Sequence, residues 1–324
     1  MASIGKLVVV GVGLIGGSLA LALRDARAVG EIVGIGRSRR NLDDARSRRI
    51  VDRAYLLDDA WQAEIAGADV VVVAAPVAQF AALFAALAPH LGPHTVVTDA
   101  GSSKQDVIEA ARAAFGARIA QFVPAHPIAG SEQSGAAAAT ASLYRDRSVI
   151  VTPLAETSAA ALAQVEAMWR DAGARVARLD AGAHDRIFAA VSHLPHIIAH
   201  TLVAELAARA DAEAFFAQAG PGFADFTRIA ASSPEMWRDV ALANRHALLD
   251  EIRMFGEALA RVAALIEDGD GTALEALFSR SREARTRWEN ARDQPAAGDR
   301  DQQLAGDRER ARDGEDALGR SSSR

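Results

Sequence analysis

A glycine loop near the amino terminus is the sequence feature that most constrains the fold. Residues 11–16 (GVGLIG) directly follow a predicted strand, residues 6–10 (KLVVV), and begin an Ala-rich stretch of helix length. Glycines at this spacing permit a tight turn, close approach of the backbone to a pyrophosphate, and close packing of helix on strand. The first N–H groups of such a helix also attract phosphate. The loop therefore predicts a dinucleotide site rather than a βα turn without a ligand, with these cofactor contacts: Gly11, Gly13, Leu14, Ile15 and Gly16.

The end of the second predicted strand indicates which dinucleotide would bind. In NAD-binding proteins of this type, an acidic residue about 20 positions beyond the loop binds the adenosine ribose. This chain has Gly36 there, followed by Arg37, Ser38 and Arg39. No carboxylate would repel a 2′-phosphate, and guanidinium groups are suited to bind one. The sequence favours NADP over NAD, with residues 37–39 as contacts; the alternative is a solvated basic helix start with Ser38 or Asn41 as N-cap.

Short β-branched segments alternate with helix-length segments through the first half of the chain. The run Val70–Val73 lacks polar alternation, which is typical of a parallel strand covered on both faces. The alternation predicts an α/β fold, with a Rossmann-like, doubly wound and mostly parallel sheet over residues 1–180. The predicted strands are residues 6–10, 32–35, 69–75, 95–99, 121–125, 148–152 and 175–179, and the helices between them are 14–26, 77–88, 104–114 and 158–171.

The pattern changes to helices alone after residue 180. Apolar residues recur at helical spacing over residues 183–209, 234–267 and 273–290, and no strand is predicted there. Residues 181–290 are therefore predicted to form an all-α domain, of a kind that often dimerises. Residues 291–324 are too polar to bury enough surface to offset their ordering entropy, so we expect a disordered tail.

Composition excludes several classes of protein. The 324 residues include no cysteine, which removes disulfides, thiolate nucleophiles and Cys-ligated zinc and is consistent with a reducing cytoplasm. A net charge of -6 and the scarcity of Tyr and Trp argue against nucleic acid as a partner. The apolar residues 7–23 are interrupted by four glycines and fall short of the ~20 residues of a spanning helix. We therefore expect neither a signal peptide nor a membrane partner.

Two polar segments follow predicted strands and are candidates for chemistry. Residues 99–104 (DAGSSK) come first, although Ser103 with Asp106 also fits a helix N-cap with its capping-box acid. Residues 126–132 (HPIAGSE) place a histidine at the end of a buried strand. Imidazole suits general base catalysis near neutral pH, so this histidine is a stronger candidate for catalysis than for packing.

Two further segments lie in the predicted helical domain. Residues 191–196 (VSHLPH) fall on its first helix, and His196 and His200 are four residues apart. With no Cys and no acidic ligand pattern nearby, we expect a polar helix face there and no metal site. Residues 233–237 (SPEMW) have the composition of a helix start, with Ser as N-cap, Pro at the first position and Trp as a packing residue.

Four motifs occur in one order along the chain: GVGLIGGS at 11–18, HPIAGSEQSG at 126–135, SHLPH at 192–196 and DFTRIAASSPEMW at 225–237. Together they closely resemble the prephenate/arogenate dehydrogenase family of tyrosine biosynthesis, over about residues 6–290. The resemblance implies oxidative decarboxylation of prephenate, or of its amino analogue arogenate, with hydride transfer to NADP or NAD. It also implies a homodimer formed through the helical domain.

The resemblance assigns catalytic roles to two residues. His126 matches the family's general base, which accepts the proton of the ring 4-hydroxyl while the same carbon gives up hydride. The ring carboxylate then leaves as CO2, driven by aromatisation. Ser102 matches the serine that orients the hydroxyl, with Ser103 as the alternative if the turn shifts.

Four further residues match substrate-binding positions of the family. Arg228 matches the arginine that binds a substrate carboxylate, and His193 matches a histidine that contacts the substrate side chain. Glu132 and Asp225 match acids that pair with the arginine and gate the cleft. The alternatives are a helix N-terminal carboxylate for Asp225 and a solvated loop position for Glu132.

Other functions fit the sequence less well. A dehydrogenase of the 3-hydroxyacid type would need a catalytic lysine in the helical domain, and residues 182–290 contain none. A non-catalytic dinucleotide sensor would not need the serine, the two histidines and the arginine together. Prephenate and arogenate stay open as substrates. Some relatives carry a chorismate mutase or an ACT-type regulatory domain; the early glycine loop and the short polar tail lead us to expect neither.

Overall fold

The computed structural model describes residues 3–131 and 133–293. Within these residues, nine strands form one six-stranded and one three-stranded sheet. The strands are β1 (Ile4–Val10), β2 (Val29–Gly36), β3 (Arg53–Leu56), β4 (Val70–Val73), β5 (Val96–Asp99), β6 (Phe122–Val123), β7 (Ala125–Pro127), β8 (Ser148–Val151) and β9 (Arg175–Arg178).

Helices connect the strands in the first half and make up the rest of the described chain. They are α1 (Leu14–Asp25), α2 (Arg39–Ser47), α3 (Gln62–Ala66), α4 (Phe80–Leu87), α5 (Gln105–Phe115), α6 (Ala159–Asp171), α7 (Ala181–Phe188), α8 (Leu194–Ala207), α9 (Ala212–Ala217), α10 (Pro221–Thr227), α11 (Pro234–Ala243), α12 (Arg245–Glu267) and α13 (Gly271–Asp293). Short 3-10 turns lie at Val77–Gln79, Ala88–His90, Gly116–Gln121, Ala136–Ala138 and Arg228–Ala231.

The six-stranded sheet is parallel and has the order β3-β2-β1-β4-β5-β6. The chain builds outward from β1 in one direction and then from β4 in the other, which is the doubly wound arrangement. Sheets of this order bind ligands in the crevice beyond the carboxyl ends of the strands, where the order reverses. Together with the helices that follow, the sheet confirms the predicted fold class.

The sheet is covered on both faces, as the unbroken valine run predicts. Val70 and Val72 of β4 pack into a core cluster that includes Trp169. Val71 and Val73 point to the opposite face and pack with Phe84 and its neighbours. Since all four valines are fully buried, neither face of this strand meets solvent.

The predicted strand at residues 121–125 is wrong, because the segment divides between the two sheets. β6 pairs with β5 in the parallel sheet, whereas β7 pairs antiparallel with β8 in the small sheet. Pro124 lies between them and has no N–H to donate, although its carbonyl accepts from Thr152 N at 3.0 Å. The division turns the chain so that His126 lies in the small sheet.

Two long predicted helices are each interrupted. The helix predicted over residues 234–267 breaks at Asn244, which caps α11 with φ -102° and ψ 31°. The helix predicted over 183–209 contains a π turn, Ala189–His193, between α7 and α8. Pro195 explains that turn, because it has no N–H for the carbonyl four residues earlier and its ring crowds that carbonyl.

Within residues 3–131 and 133–293, one helical stretch, Ala181–Ala207, is long and apolar enough to cross a membrane, with a mean hydropathy of 1.5 over its most apolar window. This is weak support for a span, since core helices of soluble proteins have the same length and composition. The stretch also carries the buried polar side chains of His184, Asp185 and His193.

The described chain divides after Arg253 into two compact units. The first contains both sheets, helices α1–α11 and every residue of the candidate site described below. The second, described for residues 254–293, contains the later part of α12 and all of α13. The domain limits expected at residues 180 and 290 stay predictions. Helix α13 includes residues 291–293, and the rest of the expected disordered tail lies outside the described residues.

Candidate active site

The three glycines of the loop at residues 11–16 differ in the space that surrounds them. Gly11 has φ +99°, and a Cβ atom there would lie 2.4 Å from the carbonyl oxygen of Ala74. A Cβ at Gly16 would lie 2.4 Å from the carbonyl oxygen of Gly11, so this position has to be glycine for α1 to approach β1. A Cβ at Gly13 would meet no atom within 4 Å. Gly13 therefore borders open space, as a backbone that contacts a pyrophosphate requires.

The amino end of α1 has no side-chain cap. Gly13 is its N-cap residue and has no side chain to accept from the first N–H groups of the helix. The N–H groups of Leu14 and Ile15 have no acceptor within the helix by its geometry, and their partial positive charge attracts anions. The open space beside Gly13 and these free donors fit the pyrophosphate of a nicotinamide dinucleotide.

The predicted contacts after β2 lie at the start of α2. Ser38 is the N-cap of α2, and its Oγ accepts from Asn41 N at 3.3 Å. Arg37 is exposed, and Arg39 lies 3.4 Å from a carboxylate oxygen of Asp59. The helix-start interpretation of this segment is thus confirmed, and the guanidinium groups beside it face solvent.

The segment that follows His126 is tied to the glycine loop. The Asn41 side chain donates to the carbonyl of Val12 at 2.6 Å and accepts from Ala136 N at 2.8 Å. The Tyr144 hydroxyl donates to the carbonyl of Ile15 at 2.6 Å. These bonds join the segment after β7 to both sides of the glycine loop.

A buried ion pair fixes the backbone immediately before His126. Asp99 at the end of β5 and Lys104 are both fully buried and contact each other. Lys104 Nζ also donates to the carbonyl of Ala125 at 2.8 Å, and Asp99 accepts from Ala125 N at 3.0 Å. Both backbone polar groups of Ala125 are therefore held, which fixes where β7 begins.

Ser102 and Ser103 lie in the turn between β5 and α5. Ser102 is partly exposed, whereas Ser103 is fully buried. The prediction of Ser103 as N-cap is wrong. Lys104 is the N-cap residue of α5, and its side chain makes no capping hydrogen bond. The carboxylate of Asp185, which is far from this turn in the sequence, caps α5 instead. It accepts from Lys104 N at 2.8 Å and from Gln105 N at 2.9 Å.

His126 lies in β7, partly exposed, and contacts a second histidine. Its Nδ1 is 2.8 Å from Nε2 of His184, and His184 Nδ1 is 2.8 Å from Oδ1 of Asp185. The Phe188 ring packs against both imidazoles, with centroid distances of 4.9 Å and 4.5 Å. Three polar side chains thus form one hydrogen-bonded series whose outer member is His126.

Burial keeps the site histidines neutral. It lowers the pKa of His126 well below 6.5, and positive charge on His184, Lys104 or His193 would lower that pKa further. Burial likewise lowers the pKa of His193 to about 4. At neutral pH both imidazoles therefore have one N–H donor and one lone pair.

His193 ends the π turn and is held by Asn244. The Asn244 amide nitrogen donates to the carbonyl of Asp185 at 2.8 Å and lies 3.1 Å from Nδ1 of His193. Since a carbonyl only accepts, the atom at this position is the NH2 group, and His193 Nδ1 must accept its second hydrogen. His193 therefore has its proton on Nε2, which is buried and has no partner among the described residues.

Trp237 and His196 form the next part of the cluster. Their rings stack with centroids 3.5 Å apart, and His193 meets the same indole edge-on at 6.0 Å. Burial lowers the pKa of His196, and the charge of Arg228 lowers it further. The helix start at Ser233 is confirmed, with its Oγ accepting from Met236 N at 3.3 Å.

The remaining predicted residues are less constrained. Asp225 is exposed on α10, and Arg228 is an exposed residue directly after that helix. Glu132 lies outside the described residues. Across residues 3–131 and 133–293, no three or more His, Cys, Asp or Glu side chains group as metal ligands; His196 Nδ1 instead bonds the carbonyl of Ser192.

Five polar residues of this site were not predicted as site residues: Asp99, Lys104, His184, Asp185 and Asn244. One signal for His184 and Asp185 was available, since the two are adjacent in a helix whose other residues, apart from Arg186, carry no charge, with Phe188 one turn after His184. Lys104 and Asn244 gave no comparable signal. A lysine after a serine turn and an asparagine inside a predicted helix are both common at solvated positions.

Comparison with known proteins gives a consistent result along the chain. The family profile "Prephenate dehydrogenase, nucleotide-binding domain" matches residues 19–178, and "Prephenate dehydrogenase, dimerization domain" matches residues 180–280. Together the two profiles span most of the described residues.

Individual relatives are similar over nearly the same length. Prephenate dehydrogenase of Bacillus subtilis is 33% identical over 281 residues, which cover 86% of this chain and 75% of the relative. Cyclohexadienyl dehydrogenase of Zymomonas mobilis is 32% identical over 281 residues, covering 86% and 94%. Among solved structures, prephenate dehydrogenase from A. aeolicus in complex with hydroxyphenyl propionate and NAD+ superimposes with a TM-score of 0.80, at 33% identity, covering 87% of this chain and 98% of that one.

Proposed function

The chain belongs to the prephenate dehydrogenase family, and we propose that it converts prephenate to 4-hydroxyphenylpyruvate and CO2 in the cytoplasm. The observation that carries the proposal is the state of His126, a neutral and partly exposed imidazole bonded through Nδ1 to His184. Its other nitrogen is left to accept a proton from a substrate. The nicotinamide dinucleotide, held at Gly11, Gly13, Leu14, Ile15 and Gly16, supplies the hydride acceptor when it is bound.

His126 acts as the general base of this reaction. Its Nε2 accepts the proton of the ring 4-hydroxyl, so that the oxygen becomes a carbonyl as hydride leaves the same carbon. Loss of the ring carboxylate as CO2 then makes the ring aromatic, its bonding electrons pass to the 4-oxygen, and this oxygen takes a proton back from His126 to give the 4-hydroxyl of the product. Ser102 orients the hydroxyl, and its partial exposure supports it over the fully buried Ser103.

Two donors bind the anionic parts of the substrate. Arg228 binds the ring carboxylate through its guanidinium fork. His193 donates from Nε2 to an oxygen of the side chain, which the bond between its Nδ1 and Asn244 supports. Asp225 and Glu132 pair with Arg228 at the entrance and limit access to it.

Arogenate is the second candidate substrate. One of the relatives, 32% identical, is named a cyclohexadienyl dehydrogenase. Arogenate differs from prephenate by an amino group in place of the keto group, so the contact with His193 would change while the chemistry at His126 would not. In that case the chain makes tyrosine directly.

An assay with both substrates and both cofactors tests the reaction. Prephenate and arogenate are each supplied with NAD+ and NADP+, while reduced nicotinamide and released CO2 are followed together. The proposal requires equal amounts of both products with at least one substrate. Tight dinucleotide binding without turnover of either substrate would instead indicate a sensor protein.

Replacing the base tests the assignment of His126. His126→Asn keeps a polar side chain of smaller volume but cannot accept the proton at neutral pH, so we expect kcat to fall about 10²–10⁴-fold. Stopped assays with the purified variant measure kcat, and circular dichroism checks its fold. Turnover close to that of the wild type would refute the assignment.

Replacing Arg228 tests substrate binding. We expect Arg228→Ala to raise the KM for prephenate at least tenfold, because a charged hydrogen-bonded pair with the carboxylate is lost. The melting temperature should change little, since the residue is exposed. An unchanged KM would mean that the guanidinium serves only the protein surface.

We propose NADP as the preferred cofactor, bound at its 2′-phosphate by Arg37, Ser38 and Arg39. The absence of a carboxylate after β2 and the exposure of the arginines support this preference. Arg37→Ala combined with Arg39→Ala should raise the KM for NADP+ and leave that for NAD+ unchanged. Arg40→Ala is the matched control in the same segment, and a lower KM for NAD+ in the wild type would refute the preference.

We propose a homodimer formed through the helical region. Helix α12 exposes one apolar side, on which Leu249, Ile252, Leu259 and Ile266 recur at helical spacing. Exposed apolar surface of this kind marks an interaction site. Light scattering should give twice the chain mass of 34.1 kDa, and Ile252→Glu with Leu259→Glu should lower it to that of one chain.

A further inference from the structure

Two adjacent buried side chains on α7 connect the candidate base to the start of α5. Asp185 accepts from the N–H groups of Lys104 and Gln105 at 2.8 Å and 2.9 Å. Its Oδ1 is also 2.8 Å from His184 Nδ1, and His184 Nε2 is 2.8 Å from His126 Nδ1. Both ring nitrogens of His184 and both carboxylate oxygens of Asp185 are engaged in these bonds, so neither side chain has a polar atom left for a substrate.

The chemistry of these groups determines where each proton lies. Burial tends to raise the pKa of Asp185, but the hydrogen bonds from His184 and the two backbone N–H groups lower it overall, so the group is a carboxylate and only accepts. His184 Nδ1 must therefore donate. Burial lowers the pKa of His184, which leaves one proton on that ring and makes its Nε2 an acceptor. The proton between the two histidines thus belongs to His126 Nδ1.

We propose that His184 and Asp185 are positioning residues that hold the proton of His126 on Nδ1 and leave the Nε2 lone pair for the substrate. The proposal rests on the function argued above, in which His126 is the base. When His126 takes a proton, its positive charge is compensated by the Asp185 carboxylate through the intervening ring. In Ser-His-Asp hydrolases a carboxylate contacts the catalytic imidazole directly for the same purpose; here a second imidazole lies between them.

A purely structural role explains less of this arrangement. Capping α5 requires only the carboxylate of Asp185, and filling the space beside Phe188 requires only a ring of suitable size. Neither requires a nitrogen of His184 at 2.8 Å from His126. Phe188 contacts both imidazoles and restricts their rotation, so the bond is held in one geometry.

Two substitutions of His184 separate the two roles. His184→Phe keeps a ring of similar size but offers no acceptor to His126, whereas the amide oxygen of His184→Gln accepts from His126 Nδ1. We expect the Phe variant to lose about 10²-fold in kcat with KM within about twofold of the wild type. The Gln variant should stay within about tenfold of the wild-type kcat, and the acid limb of the kcat profile should move only in the Phe variant.

Melting temperatures of both variants provide the structural control. A wild-type kcat and pH profile for a folded Phe variant would overturn the proposal. So would a Gln variant that folds but is as slow as the Phe variant, because the loss would then follow from the changed volume rather than from the missing acceptor.

A spectroscopic measurement makes the proposal independent of turnover. Imidazole ¹⁵N chemical shifts of the wild type, without substrate, distinguish the two neutral tautomers, and His126→Asn identifies the His126 signals. We expect the Nδ1–H tautomer in the wild type and a mixture in His184→Phe. The Nε2–H tautomer in the wild type would overturn the inference even if the enzyme is active. Absence of turnover with the Nδ1–H tautomer present would count against the proposed function alone.

Discussion

His126 and His193 are both neutral but carry their protons on opposite ring nitrogens. His126 donates from Nδ1 to His184, which leaves a lone pair on Nε2. His193 accepts at Nδ1 from Asn244, which leaves an N–H on Nε2. One imidazole is thus prepared to take a proton and the other to donate a hydrogen bond. Because unperturbed histidines tautomerise freely, the difference comes from the polar groups behind each ring.

Substitution of Asn244 should weaken substrate binding through His193, although Asn244 itself is not proposed to contact the substrate. In Asn244→Asp the new carboxyl oxygen accepts from His193 Nδ1, so Nε2 loses its hydrogen and presents a lone pair to an anionic substrate. We expect the KM for prephenate to rise about tenfold or more, while Asn244→Ala, which imposes neither tautomer, raises it less. Steady-state kinetics at pH 7 measure both variants, and an equal KM in all three proteins would contradict the tautomer argument.

At the scale of residues, the sequence indicated candidates for ligand contact but not the groups that support them. His126, His193 and Arg228 occur in three of the four motifs, and Ser102 occurs in a polar segment that follows a predicted strand. The supporting contacts join residues far apart in the chain, such as the 81 positions between Lys104 and Asp185. No local pattern encodes such a pair, since its geometry exists only after the helices have packed.

At the scale of elements, the glycine loop combines a binding role and a packing role in six residues. A Cβ atom at Gly16 would overlap the Gly11 carbonyl oxygen at 2.4 Å and Val9 at 2.7 Å. A Cβ atom at Gly13 would meet no protein atom within 4 Å. Gly16 therefore lies at the contact between α1 and β1, whereas Gly13 borders the space expected for the dinucleotide.

The two glycines should consequently respond differently to alanine. Gly13→Ala should fold with a normal melting temperature but bind the dinucleotide at least tenfold more weakly, a change of ~1.4 kcal/mol. Gly16→Ala should lose ~1–3 kcal/mol of stability, because α1 must move away from β1. Thermal melting and fluorescence titration of the dinucleotide distinguish the two outcomes. A Gly13→Ala variant with unchanged binding would show that the open space is not the binding site.

Element prediction succeeded where burial patterns are strong and failed at interruptions. The valine run correctly predicts β4. Strand β3 was not predicted; it has only four residues and pairs with a single neighbour. The break of α11 at Asn244 was also missed, since the apolar spacing continues across it. There the local pattern favours a continuous helix, but the bonds of Asn244 to Asp185 and His193 require that the chain turn.

At the scale of the whole molecule, net charge does not explain attraction of an anionic substrate. The chain carries 42 acidic and 36 basic side chains, so its overall field repels anions. The described site compensates locally with N–H donors that need not be charged: the start of α1 and the Nε2 of His193. Burial keeps the histidines of the site neutral, and this has a cost in the free energy of folding of the whole chain.

That cost should appear as a loss of stability in mild acid. His126, His184, His193 and His196 all have pKa values below 6.5 in the folded state. The unfolded chain therefore binds more protons than the native protein once the pH falls below about 6.5, and stability decreases with the pH. For His193, whose pKa is about 4, the loss reaches roughly 3 kcal/mol when the pH falls to that value.

Urea unfolding between pH 7.5 and 4.5 measures this effect directly. His193 should contribute a slope approaching ~1.4 kcal/mol per pH unit between about pH 6 and its pKa of about 4, and His126, His184 and His196 should add to the loss in the same direction.

Two groups of carboxylates act differently from the histidines. Hydrogen bonds lower the pKa of Asp185 against the effect of burial, and ion pairs lower that of Glu166, so their contributions are lost mainly below about pH 4.5. Burial raises the pKa values of Asp99 and Asp106, so these two groups oppose the loss of stability as the pH falls.

His193→Asn should reduce the slope by about one histidine's share. A midpoint that stays constant from pH 7 to 5 would mean that the histidines take up protons over the same pH range in the folded and the unfolded chain. Burial would then not lower the pKa values of His126 and His193, and the argument that it keeps both rings neutral in mild acid would fail.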